Sequence, residues 1–206
     1  MNNANEPVLL HPYVRFINAS ENDGVDFYVF NSPISTNAAC GYAGEYVKCA
    51  RGLTNFRVCK NDTVLASMAF NAEPGVVHTI CAVGSEDNVS LYAIDENADK
   101  TTPEYGHLRI CNLFNNDKTI DIYANEKCFA SDVGYLAVTR YIEMVPDLYE
   151  LKIRHHNNQN ILAGYGKQSI KCRKYNTLFV LPPNDNNSSP NCIFTIDSGS
   201  YSGFYL

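Results

Sequence analysis

The chain repeats itself at a fixed distance, and that repetition limits its fold more than any other feature. Val25-Asp26-Phe27-Tyr28 returns as Ile120-Asp121-Ile122-Tyr123, 95 residues later. The same offset carries Tyr46-Val47 onto Tyr141-Ile142 and Phe56-Arg57-Val58 onto Leu151-Lys152-Ile153. Self-similarity over about one domain length marks two copies of one small domain. With 206 residues in all, each copy is long enough to bury its own core. The expected division is 1–97 for the first copy, 98–105 for a polar, proline-containing linker, and 106–206 for the second copy with its C-terminal tail.

Within each copy the hydrophobic period is two. Val25, Phe27 and Val29 alternate with Asp26 and Tyr28, the sign of a half-buried strand. Turn chemistry interrupts such runs at Asp23-Gly24, Arg51-Gly52, Asn61-Asp62 and Pro74-Gly75, and again at Asp117-Lys118 and Pro146-Asp147. About seven short strands per copy predict an all-β chain: two tandem immunoglobulin-like antiparallel β-sandwich domains. One segment competes as a helix, because Val133, Leu136, Ala137 and Tyr141 fall at helical spacing. Its first-copy counterpart, 38–46, carries Gly41 and Gly44 and no such stripe, so the repeat predicts extended chain or loop. Gly164-Tyr165-Gly166 reads as a loop.

Charge and motifs exclude several functions. The net charge is −6, with no basic stripe, which argues against nucleic-acid binding and against docking on anionic lipid. No run reaches the roughly 20 apolar residues of a membrane-spanning helix. Met1 to Pro7 has neither a basic nor an apolar signal region, so synthesis in the cytoplasm without a signal peptide is expected. Neither a G-x-S-x-G elbow nor a phosphate loop occurs, and no Cys–His pair has a local catalytic signature. The chain therefore reads as a non-enzyme without cofactor.

The titratable residues carry little metal chemistry. The five histidines lack zinc-site spacing, and His155-His156 reads as a solvated turn. Asp26 and Asp121 recur, and each is expected to cap a turn or to pair with Arg15 or Arg109. The eight cysteines include no C-x-x-C, and none recurs in both copies. They are therefore not the framework of the fold. Cys49 and Cys81 replace apolar residues and read as core. Cys40, Cys59, Cys128 and Cys172 fall at turns or strand ends and are the candidates for intermolecular cross-linking.

The repeat unit resembles a bacterial family known as domain of unknown function 4397. Its copies read V-R-x-x-H-A-S-P, then V-D-V-Y, then a Y-x-x-V-x-x-G-x-Y hairpin, then a strand ending V-G. Here the first copy gives Val14-Arg15-Phe16-Ile17-Asn18-Ala19-Ser20, Val25-Asp26-Phe27-Tyr28, Tyr46 to Gly52, and Ala82-Val83-Gly84. The second gives Leu108-Arg109-Ile110-Cys111-Asn112-Leu113, Ile120-Asp121-Ile122-Tyr123, Tyr141 to Tyr149, and Phe179-Val180-Leu181. The motif histidine is Asn18 in one copy and Asn112 in the other. The chain looks like the short, two-repeat, signal-less members from spore-forming Firmicutes, and the resemblance implies a place in the spore envelope. It implies no catalytic residue.

These readings converge on a structural protein that self-associates into an oligomer or polymer, at the spore surface or among cell-wall components. Sandwich edges accept an added strand. The assembly candidates are therefore the terminal apolar residues Val8, Leu9 and Leu10, and Tyr201, Phe204 and Tyr205. The alternative is a monomeric glycan- or cell-wall-binding module, with Tyr42, Tyr92, Tyr135, Tyr201 and Tyr205 as stacking surfaces.

Overall fold

The computed structural model describes residues 11–96, 102–115, 119–158, 160–183 and 189–201. The chain forms two compact units. The first holds β1 (Tyr13–Ser20), β2 (Val25–Val29), β3 (Ser32–Ala38), β4 (Val47–Lys48), β5 (Gly52–Lys60), β6 (Thr63–Ala72), β7 (Val77–Ser85) and β8 (Asn88–Asp95). Its two four-stranded sheets run in the orders β4-β1-β7-β8 and β3-β2-β5-β6. The second holds β9 (Gly106–Asn112), β10 (Ile120–Ala124), β11 (Lys127–Val133), β12 (Ile142–Met144), β13 (Asp147–His155), β14 (Ile161–Ile170), β15 (Tyr175–Leu181) and β16 (Asn191–Ile196), followed by a short 3-10 turn at Ser198–Ser200. Its sheets run β12-β9-β15-β16 and β11-β10-β13-β14. The second unit thus repeats the first strand for strand, and each is the expected two-sheet β-sandwich.

Alternation builds the two cores. Val14 and Phe16 from one sheet meet Val25, Phe27, Phe56 and Val58 from the other. The Phe16 ring lies 4.7 Å from that of Phe27 and 5.6 Å from that of Phe56. In the second unit Leu108, Ile110, Leu178 and Val180 face Ile120, Ile122, Leu151 and Ile153. The repeated V-D-V-Y segment is β2 and β10, whose apolar residues point inward.

The structure refines the reading of the sequence in three places. β9 and β15 pair in parallel within an otherwise antiparallel sandwich. Each unit has an extra edge strand, β3 or β11. Their sequences, Ser32–Ala38 and Lys127–Val133, are largely exposed and carry bulges against β2 and β10, so no clean alternation announces them. The Gly164-Tyr165-Gly166 segment is not a loop but lies inside β14. There the register against β13 shifts by one residue, with Lys152 opposite Gly164 and Leu151 opposite Gly166. Gly166 takes φ +69°, and a β-bulge of this kind favours glycine. The helix alternative around Val133 to Tyr141 does not form. Turns and an isolated bridge between Cys111 and Val138 occupy that stretch.

Candidate functional site

Each unit buries a four-residue polar cluster. In the first, Arg15 on β1 donates from Nε to Thr79 Oγ1 on β7 at 2.8 Å, and its Nη2 lies 3.1 Å from Glu96 Oε1. Thr79 donates to the same carboxylate. Tyr46 OH donates to Glu96 Oε2 at 2.5 Å, and the Arg15 guanidinium sits 4.9 Å from the Tyr46 ring. In the second, Arg109 Nε donates to Thr177 Oγ1 at 2.8 Å and lies 3.8 Å from Asp197 Oδ2. Thr177 and Tyr141 donate to that carboxylate at 2.5 and 2.6 Å, and Arg109 lies 4.5 Å from the Tyr141 ring. The arginines and acids are buried. Buried charges persist in proteins when paired and hydrogen-bonded, and Arg15 with Glu96 meets both conditions. Each cluster ties the loop before an edge strand to the chain that follows the last strand of the same sheet. The arrangement acts as a fastener.

The cluster corrects one expectation. Arg15 and Arg109 do not pair with Asp26 and Asp121. The aspartates take the other expected role. Asp26 Oδ1 accepts from the backbone N–H of Asn37 at 2.8 Å, and Asp121 Oδ1 from that of Asp132 at 2.9 Å and from Ser131 Oγ at 2.8 Å. Asn37 and Asp132 have φ +53° and +57°. Each aspartate thus anchors the left-handed residue of the bulge in β3 or β11. Asn18 and Asn112, at the motif histidine position, are fully buried. Asn18 Nδ2 donates to the carbonyls of Asn22 and Ala38, and Asn112 Nδ2 to that of Val133. They work as backbone staples.

His155-His156 is not simply a solvated turn. His155 ends β13, while His156 Nδ1 lies 2.9 Å from Asp121 Oδ1. That hydrogen bond raises the His156 pKa above the ordinary 6.5. A raised value means the charged imidazole is favoured by the fold. Its contribution is complete below the unfolded value and is lost as pH rises through the folded one. Burial lowers the pKa of His78 and of His107. In an NMR titration His156 is expected to titrate above 6.5 and these two below it, and Asp121→Asn should abolish the upward shift of His156.

One open feature has no counterpart among these ties. On one side of the second sandwich both sheets end, one at β11 and the other at β12. A cavity of about 330 Å³ lies there. Phe129, Ile142, Met144 and Val145 give it apolar walls, with Lys127, Cys128 and Glu143 at its margins. Val145 is 62% exposed. Tyr149 OH donates to the Val145 carbonyl at 2.8 Å and fixes the turn between β12 and β13. The Glu143 carboxylate accepts from Thr102 Oγ1 at 2.5 Å, which holds its pKa below the usual value.

The two units differ at this edge. Both hairpins close on a two-residue turn, Val29 opposite Ser32 and Ala124 opposite Lys127. In such hairpins the closing pair exchanges the ladder hydrogen bonds, so the next residue turns its N–H outward. In β3 that residue is Pro33, which has no N–H, and proline there blocks strand addition. In β11 it is Cys128, which keeps the donor. The unprotected edge is therefore confined to the second unit at this position.

The cross-linking candidates separate. No disulfide joins any of the eight cysteines in this structure. Cys128 and Cys172 are exposed and Cys40 is half-buried, but Cys59 is buried within β5, which withdraws it from the accessible set. Cys49 and Cys81 are buried, as expected for core residues. Burial raises the Cys49 pKa to about 11, and that of Cys192 to about 12. The Cys128 thiol is also raised, by desolvation and by Asp121. Tyr201 is 41% exposed, whereas Val8, Leu9, Leu10, Phe204 and Tyr205 lie outside the described residues. Among the described residues no group of three or more His, Cys, Asp or Glu could hold a metal ion.

Little of this site is announced by the sequence. The fasteners recur at offsets drifting from 94 to 101 residues, with glutamate replaced by aspartate, so one fixed offset misses them. The Pro33–Cys128 contrast is visible at an offset of 95 once β3 and β11 are known to be strands.

A family model described as a domain of unknown function (DUF4397) matches residues 12–117, just over half of the chain, covering the eight strands of the first unit and β9. No curated protein matches the chain.

Proposed function

The chain belongs to the DUF4397 family, and on that premise we propose that it is a tandem, two-repeat member acting as a non-enzymatic, self-associating structural protein. The carrying observation is the difference between the two units at one edge. The first unit closes the edge with Pro33, whereas the second leaves it open beside an apolar cavity. Proteins protect exposed edges because an open one recruits another chain. An open edge in only one of two copies is a directional contact, and head-to-tail contacts generate rings or filaments. The exposed thiols of Cys128 and Cys172 suit secondary covalent links between neighbours. The resemblance to short members from spore-forming Firmicutes points the reading to the spore envelope.

Size-exclusion light scattering and negative-stain microscopy, with and without reductant, test it. Rings or filaments are expected, and reductant should shorten them without dispersing them entirely. A homogeneous 23.0 kDa species under both conditions overturns the reading and turns attention to glycan binding through exposed Tyr42 and Tyr201.

A further inference from the structure

We infer that the cavity between β11 and β12 is the acceptor for the N-terminal segment Glu6-Pro7-Val8-Leu9-Leu10-His11 of a second copy. The inference rests on the self-association reading and names its two contact surfaces.

Three features select this occupant. The acceptor walls are aliphatic and aromatic, from Phe129, Ile142, Met144 and Val145. Three consecutive apolar residues, Val8-Leu9-Leu10, stand between Pro7 and Pro12. Each of those prolines lacks an N–H and limits the segment that can pair as a strand to Val8–His11. A four-residue addition is in proportion to the edge offered, since β12 has three residues and β11 has seven. One charge contact is available as well, since Glu143 of the same lining is already engaged by Thr102. Glu6 precedes the apolar triplet, and exposed Lys127 stands at the hairpin end of the cavity.

The binding mode is strand addition to β11. Main-chain hydrogen bonds hold the added segment, and the outward N–H of Cys128 is the first donor. Alternate side chains of the triplet enter the cavity, as the strand period of two requires. Exposed Val145 becomes covered. In the first unit Pro33 removes the corresponding donor, so each copy offers one donor segment and one acceptor, and the contact propagates head to tail.

A complementation experiment on the full chain tests this. The donor-dead variant carries Val8→Asp, Leu9→Asp and Leu10→Asp. The acceptor-dead variant carries Val145→Glu and Cys128→Pro, and Val145→Glu alone serves as a second version, because Val145 is 62% exposed and outside the buried core. Circular dichroism confirms that each is folded. Wild type is expected to assemble. Each variant alone should remain a 23.0 kDa monomer, and the equimolar mixture should give a complex of twice that mass. If wild type assembles and either variant assembles equally well, the proposed contact is wrong while self-association stands. If both variants are monomeric and their mixture stays monomeric, the head-to-tail pairing is wrong. A monomeric wild type overturns the self-association reading, and this contact with it.

Discussion

Replacing Arg109 with leucine is expected to cost about 3–5 kcal/mol of stability, because it leaves the Asp197 carboxylate buried without its cation. Asp197 would keep the hydroxyls of Thr177 and Tyr141, but neither carries a compensating charge. Arg15→Leu should cost about the same in the first unit, where Glu96 is the stranded acid. Urea titration followed by circular dichroism measures both. The double variant Arg109→Leu with Asp197→Leu, measured beside its two single variants, decides what kind of interaction this is. Buried ion pairs replaced whole by apolar residues are often neutral. The pair should therefore recover most of the loss, giving a coupling energy of at least about 3 kcal/mol in a double-mutant cycle. Additive losses in the double variant would show that the cluster does not act as a unit.

Duplication and strand pattern were readable because they depend on short-range periodicity. Val25, Phe27 and Val29 alternate, and Ile120 and Ile122 repeat them, so β2 and β10 declare themselves and their inward faces. What was not legible depends on residues that meet only after folding. Arg15 and Glu96 are far apart in sequence, and Glu96 follows the strand run of β8, where a lone acid looks like loop. The buried arginine therefore suggested a nearer partner, Asp26, which the structure assigns to the bulge in β3 instead. β3 and β11 escaped for a different reason. They are edge strands whose outer sides face solvent, so their composition is polar, and their bulges break the period of two. The site proposed for assembly lies against the strand that periodicity could not reveal.

Glycines test the same point quantitatively, since identical residues carry different constraints. Gly84→Ala is expected to cost about 3 kcal/mol, from roughly 1–2 for the left-handed backbone and roughly 1–3 for the steric conflict. Gly84 has φ +110°, and a Cβ there would lie 2.1 Å from the carbonyl oxygen of Asn88. The oxygen belongs to the backbone of the tight β7–β8 hairpin, in which Ser85 pairs with Asn88, so it cannot move aside without opening the ladder. Gly52 has φ +88° but nothing within 4 Å of its Cβ position. Gly52→Ala should therefore cost only about 1–2 kcal/mol, the backbone part alone. Gly164 has open space and no positive φ, so Gly164→Ala should be neutral or stabilise by about 0.5 kcal/mol. Urea midpoints for the three variants should fall in that order. In the second unit β15 pairs with β16 as far as Leu181 opposite Asn191, and Leu181 stands where the first unit has Gly84. Equal losses at Gly84 and Gly52 would mean that the hairpin yields to a methyl group, and the glycine would then be required for its φ rather than for the close approach of Asn88.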